Sequence, residues 1–230
     1  TFFIRPETRW GNKKGIKKFV SRFSDKTSYR IDRKTGNRNS IYNPLSENII
    51  DTHLVALNTS LLNSFYFNRT SPIYGFDFTF QDNKGKTLLT NGYELRENTY
   101  YEIRSRWNFL SQFTLNTNYK NGVKSNLSEY FSNRNYSFAY EEAEPRFSFQ
   151  PNTTFRLSVY YTYIQKINKP IYGNEKTFLN KAGIELRYIA PAKGNVILNF
   201  NFIDINYNAT PNTAVAYDMM EALQPEKKYT

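Results

Sequence analysis

The chain contains no cysteine, one histidine and no apolar run longer than a few residues, the stretch Leu-Val-Ala-Leu at 54–57 being typical. Each absence excludes a class of protein. Without cysteine there is no disulfide scaffold, thiol nucleophile or cysteine-based zinc site. A membrane-spanning helix needs ~18 consecutive apolar residues, and none are present. No glycine-rich phosphate loop occurs, and acidic residues are scarce: 20 Asp and Glu face 31 Lys and Arg, for a net charge of +11. The chain opens at Thr1 without an initiator methionine or signal peptide and closes on Lys-Lys-Tyr-Thr. It therefore reads as a section of a longer chain or as a processed one.

What is present pulls in two directions. A mean hydropathy of -0.68 suits a solvated or disordered chain, yet 17% of the 230 residues are aromatic, with 19 Tyr, 19 Phe and 2 Trp. Disordered chains lack the aromatics needed to close a core. A period of two resolves the conflict, because apolar and polar residues alternate over long stretches. Phe19, Phe23, Thr27, Tyr29 and Ile31 share one parity, and Arg22, Lys26, Arg30 and Asp32 the other. The pattern returns at Val55, Leu57, Leu61, Phe65 and Phe67, at Tyr74, Phe76, Phe78 and Phe80, and at Tyr101, Ile103 and Trp107. It continues through Phe113, Leu115 and Tyr119, through Phe155, Leu157, Val159, Tyr161 and Tyr163, through Phe178, Ile184, Leu186 and Tyr188, and through Val196, Leu198, Phe200 and Phe202. Tyr136, Phe138 and Tyr140 are out of parity with Phe147 and Phe149, which predicts a β-bulge near 141–145, next to Pro145. With a partial strand at 2–9, about ten strands result, many longer than the usual 5–6 residues.

The connections are predicted to alternate. Short turns fall near 11–15, 68–72, 108–112, 150–153 and 190–194, and long polar loops near 34–48, 81–98, 120–135, 168–176 and 208–228. Short turns on one rim, long loops on the other and an apolar-out, polar-in dyad are the signature of an antiparallel transmembrane β-barrel. The chain is expected to be all-β, one barrel segment over residues 1–230 with ten up-and-down strands, part of a larger barrel. A short helix is expected within the 208–228 loop, where 213–224 carries helix formers ahead of Pro225. Lipid offers backbone groups no partners, so strands in a membrane must all pair and the sheet must close. The 28 asparagines then belong in loops and on the inward face. Phe19, Phe23, Phe65, Phe67, Phe76, Phe78, Trp107, Phe155, Tyr161, Tyr188, Phe200 and Phe202 are expected on the lipid face or its aromatic girdles. In a soluble β-sandwich the same rings would fill a core, and the loop alternation favours the barrel.

Inward parity assigns Glu102, Arg104, Arg106, Arg156, Glu185 and Arg187 to the lumen. Such a lining either selects anionic or polar cargo or forms a mutually neutralising ladder. His53 has no obvious partner for a metal or nucleophile site and reads as interfacial. Glu141, Glu142 and Glu144 are expected to pair with arginines on neighbouring strands, which leaves no paired carboxylates for acid–base work. Lys13, Lys14, Lys17 and Lys18 suit lipid head groups or a periplasmic partner. Nothing resembles a nucleic-acid-binding motif. No enzymatic activity, cofactor or metal is expected.

Several segments carry a family resemblance: Arg-Pro-Glu-Thr-Arg-Trp-Gly-Asn-Lys-Lys from Arg5, Lys-Phe-Val-Ser-Arg-Phe-Ser-Asp-Lys-Thr-Ser-Tyr from Lys18, Asn-Gly-Tyr-Glu from Asn91, Arg-Trp-Asn from Arg106, Asn-Arg-Asn-Tyr from Asn133, and Ala-Tyr-Asp-Met-Met-Glu-Ala-Leu-Gln-Pro from Ala216. Together they resemble the C-terminal part of large Bacteroidota outer-membrane β-barrel proteins such as the SprA/Sov translocons of type 9 secretion. The resemblance spans most of the chain, but its motifs mark turns and strand ends, not catalysis. It implies an outer-membrane location, contact with lipid and lipopolysaccharide, neighbouring outer-membrane or periplasmic subunits, and a role in the wall of a transport or secretion pore. In that family the Gln-Pro motif is followed by further strands, so the resemblance also implies that the barrel does not close within these residues. The rival expectation is a structural subunit with a plugged lumen whose loops dock partners.

Overall fold

The computed structural model describes residues 1–6, 14–36, 54–90, 92–190, 194–208 and 215–220. They form one antiparallel ten-stranded sheet in which every strand pairs with its neighbours in sequence: β1 (Phe2–Ile4), β2 (Phe23–Thr35), β3 (Leu54–Phe67), β4 (Tyr74–Leu89), β5 (Gly92–Phe109), β6 (Phe113–Ser128), β7 (Tyr136–Phe149), β8 (Phe155–Asn168), β9 (Lys176–Ala190) and β10 (Gly194–Asn208). Two short α-helices accompany them, α1 (Ile16–Val20) and α2 (Ala216–Met219), with one 3-10 turn at Ser132–Arg134. Among the described residues no helix is long and apolar enough to cross a membrane.

The all-β, up-and-down architecture follows from the period of two, and β2–β10 reach 13 to 18 residues. The strands continue into segments expected to be loops. β4 and β5 pair out to Leu89↔Gly92, so the connection between them is two residues where a long loop was expected at 81–98. β6 likewise runs to Ser128, leaving residues 129–135 as the link to β7. These segments are mostly polar, with apolar residues such as Leu88, Leu95 and Val123 too scattered to alternate steadily, which hid their extended conformation from a reading based on apolar alternation. At the other end, the first strand, expected over 2–9, is described over Phe2–Ile4 and ends before residues 5 and 6, while 7–9 lie outside the described residues; Phe19 lies in α1 and not on a strand. Gly15, at φ 68, sets the turn into that helix.

The predicted bulge is also corrected. β6 and β7 pair from Phe113↔Phe149 to Asn126↔Tyr136 with no register shift. Tyr136, Phe138 and Tyr140 therefore lie on the opposite face from Phe147 and Phe149; the aromatics change face and the strand does not bulge. Pro145, without an N–H, coincides with a gap in the β7–β8 ladder at 144–145, and the register is the same on both sides of it.

The register sorts residues onto two faces with unusual burial. Among the described residues sixteen buried side chains are polar or charged and eight are apolar, so the sheet covers its polar face in preference. Ser64, Glu94, Glu102, Ser148, Ser158, Thr162 and Lys166 are buried on one face, while Phe76, Trp107, Phe147, Val159, Ile184, Tyr188, Phe200 and Phe202 are exposed on the other. Soluble domains do the reverse. The apolar face has a defined height. Outward positions read Tyr74, Phe76, Phe78, Phe80 and then Asp82, Lys84 on β4; Phe155, Leu157, Val159, Tyr161, Tyr163 and then Gln165 on β8; and Val196, Leu198, Phe200, Phe202 and then Asp204 on β10. Seven to nine residues of strand make a band about 23–30 Å long measured along the strands. The rest of each strand continues beyond it toward the rim that carries the 129–135 and 169–175 connections.

Candidate functional site

The register places Glu102, Arg104, Arg106, Arg156, Glu185 and Arg187 together on the polar face of the sheet, called the inner face below. Their pairing runs mostly along a strand and less across strands. Arg104 donates through Nε and Nη2 to Glu102 at 3.0 and 2.8 Å, Arg96 pairs with Glu94 at 2.7 Å, and Arg146 pairs with Glu144 at 3.3 Å. Residues i and i+2 share a face, so an Arg–x–Glu alternation places its own counter-ion within reach. Arg146 also lies 4.0 Å from Glu185 two strands away. Arg156 and Arg187 face each other directly, and the Arg156 Nε is buried without a hydrogen-bond partner. Like charges opposed across a ladder repel, so the turn-rim end of this face keeps a positive character. The three clustered glutamates separate: Glu141 is on the outer face, accepting from Tyr119 Oη at 2.8 Å, whereas Glu142 and Glu144 point inward. The carboxylate of Glu144 also accepts from Thr162 at 3.2 Å.

Near the long-loop rim the inner face forms a cavity of about 670 Å³ lined by Arg30, Asp32, Asn58, Ser60, Asn83, Glu94, Arg96, Asn98, Lys124, Asn126, Tyr136 and Asp218. Residues from β2 through β7 thus surround one space. One wall is α2, which follows β10 in sequence but lies against β6, β7 and β8. Val215 and Met219, 3% and 0% exposed, pack with Tyr136 and Phe138. Those two rings stack at 5.7 Å, and the flexible thioether fills the space against them. Asp218 locks the contact: Lys124 Nζ donates to it at 2.7 Å and Tyr136 Oη at 2.5 Å, while Lys166 Nζ donates to its backbone carbonyl at 2.6 Å. Burial opposes the charge of Asp218, but the donors Lys124 and Tyr136 and the charges of Lys124 and Lys166 outweigh it and hold the carboxyl below its ordinary range. A helix in this stretch is expected from sequence and part of it is observed, whereas its docking onto the sheet is not legible in the sequence. The signal was the out-of-parity trio Tyr136, Phe138 and Tyr140, an apolar patch on a polar face.

A second cavity, about 480 Å³, lies toward the turn rim between β4, β5, β6 and β7 and holds Arg69, Asp77, Arg104, Arg106, Glu144 and Arg146. On the other face, Phe23, Phe65, Phe67, Phe76, Phe78, Trp107, Phe155, Tyr161, Tyr188, Phe200 and Phe202 all point outward. Rings touch along the turn rim from Phe23 to Phe67 (4.8 Å), Phe67 to Tyr74 (6.2 Å) and Tyr74 to Trp107 (6.0 Å), and again from Phe113 to Phe149 (4.7 Å) and Phe149 to Phe155 (6.5 Å). Phe19 joins this row from α1, edge-on to Phe23 at 5.3 Å. Lys14, Lys17 and Lys18 sit at the same rim, whereas Lys13 and His53 lie outside the described residues. Among the described residues no group of three or more His, Asp or Glu is placed to hold a metal ion. Comparison with family models, with curated proteins and with solved structures returns no match.

Proposed function

We propose that this sheet is a section of the wall of a transmembrane β-barrel in a bacterial outer membrane, and that the barrel serves transport or secretion. The observation that carries the reading is the inverted burial, with polar and charged side chains covered on one face and a band of aromatic and aliphatic side chains exposed on the other. A face of that composition is stable against hydrocarbon and unstable against water. On this reading the band meets lipid, the Phe and Trp row along the turn rim sits at the periplasmic interface, and the strand extensions and long loops project outside the cell. Lipid and lipopolysaccharide are then direct partners, and other outer-membrane or periplasmic subunits are expected. The resemblance to type 9 translocons makes protein export the leading form of transport.

The test uses Trp107, which is outward on β5 near the turn rim. With Trp10→Phe, and any tryptophan beyond these 230 residues likewise replaced, it is the sole tryptophan. Reconstituted into vesicles containing brominated acyl chains, the full-length protein is expected to lose most of its tryptophan emission. Emission unchanged by bromination, together with a monodisperse species in detergent-free buffer, would end the membrane reading. Planar-bilayer conductance then separates a pore from a closed wall.

A second reading has its own support. α2 folds onto the inner face and narrows it, and charge pairs neutralise much of the lining. On that reading the barrel is plugged and its loops dock partner subunits, and no measurable current is expected from the native protein or when the docking of α2 is weakened by Asp218→Ala.

A further inference from the structure

We infer that the turn-rim cavity is a binding site for a small oxyanion, a phosphate or a carboxylate. Four arginines, Arg69, Arg104, Arg106 and Arg146, share this space with two carboxylates, Asp77 and Glu144. Two of the arginines are already engaged: Arg104 by Glu102 and Arg146 by Glu144. Among the described residues, Arg69 and Arg106 make no ion pair, and they are set differently from the others. Arg106 Nη2 donates to the backbone carbonyl of Ser71 at 2.7 Å, with Arg69 O at 3.5 Å, so its guanidinium is fastened to the β3–β4 turn. Its Nε is buried and has no partner. Gly75, directly opposite it in the ladder, gives it room: a Cβ there would stand 3.3 Å from Arg106 Nη2. Arg69 rests its guanidinium on the Tyr66 ring at 4.6 Å.

A guanidinium held by a carbonyl keeps its full charge, because a carbonyl orients it without neutralising it. Arg106, held by a carbonyl, and Arg69, held on an aromatic ring, offer planar, forked donors at one cavity, of the geometry that phosphate and carboxylate oxygens accept. The amides of Asn116 and Asn118 line the same wall and add donors that do not select for charge. Asp77 is the built-in opponent. It stands opposite Arg104 in the ladder and shares the cavity, so it competes with any anion for the same cations. The site stands on this cavity alone and does not require that the barrel conduct.

The test is calorimetric titration of the full-length protein, in neutral detergent and low-salt buffer, with inorganic phosphate and separately with succinate. One saturable site is expected for at least one probe, and the tighter probe distinguishes a phosphate site from a carboxylate site. Losing two charged donors in Arg69→Gln/Arg106→Gln is expected to weaken binding about tenfold or more. Asp77→Asn is expected to tighten it, a gain that misfolding cannot mimic. Lys26→Gln, on β2, removes a charge elsewhere on the inner face and is expected to leave binding unchanged. Absence of saturable binding by both probes at millimolar concentration overturns the inference. So does equal weakening by Lys26→Gln, or failure of Asp77→Asn to strengthen binding.

Discussion

Single residues decide how the inner face packs. Gly122 on β6 sits between Tyr100 and Tyr140 in the ladder, and a Cβ there would meet Thr99 O at 2.5 Å and Tyr140 Oη at 2.8 Å. Large aromatics can lie across the sheet here only because this position has no side chain. Lys120 Nζ, 4.3 Å from the Tyr100 ring and 5.5 Å from the Tyr140 ring, bridges the two. Gly122→Val is expected to destabilise the folded protein by about 1–3 kcal/mol through overpacking against backbone, read as a lowered unfolding temperature in detergent; an unchanged temperature would refute the close approach. Asp218 acts at the same scale. Its carboxyl titrates lower in the folded state than in the unfolded chain, so its stabilisation is present above the ordinary carboxylate pKa of about 3.9 and is lost as pH falls through the depressed folded value. Amide exchange at 215–220, corrected for intrinsic rate, should therefore be equally slow at pH 7 and pH 5 and accelerate below about pH 4. Because both sides of the Lys124 pair are about one-third exposed, Asp218→Ala is expected to cost no more than about 1–2 kcal/mol of docking.

Among the elements, strands are legible where one face is apolar and opaque where both are polar. The band positions of β4, β8, β9 and β10 announce themselves by alternation, while the outer halves of β4 and β5 carry Asp82, Lys84, Lys86, Glu94, Arg96 and Glu97 and read as loop. Ladder hydrogen bonds extend those halves, and no hydropathy pattern records them. The face change within β7 was visible as a break in parity, but a break in parity suits a bulge and a face change equally, and only the unshifted register decides between them. Of the candidate site, the sharing of one sheet face by six charged residues was legible; the turn-rim cavity was not, because Arg69 comes from a turn and Glu144 from two strands away. The edge of the band predicts a labelling pattern. The chain has no cysteine, so single substitutions along β4 need no altered background. In lipid vesicles, cysteines replacing Phe76, Phe78 and Phe80 should resist a membrane-impermeant thiol reagent, and those replacing Thr79, Lys84 and Lys86 should react. Reactivity that fails to alternate below residue 81, or that stays blocked at 84 and 86, would refute the band.

At the scale of the whole sheet, the two outer strands are unequal. Among the described residues β1 pairs with β2 over three residues only, from Phe2↔Thr27 to Ile4↔Asp25, which leaves most of the β2 edge without a described neighbour, and β10 presents fifteen residues with one described neighbour, β9. On β10 even the inward Ile197 is 53% exposed, beside outward Phe200 at 65% and Phe202 at 63%. In water such an edge recruits other strands and aggregates; in lipid it leaves a row of N–H and C=O groups unsatisfied, each at a cost of several kcal/mol. The membrane reading therefore requires that β10 be covered in the working protein by another strand. Hydrogen exchange on the full-length protein in its membrane should show the β10 amides protected as fully as those of β5 and β6, at the centre of the sheet. Detergent extraction that separates the covering strand should release β10 first and leave the centre slow. Fast exchange along β10 in the intact membrane would mean that the edge is open to water, and the sheet could not then be part of a barrel wall.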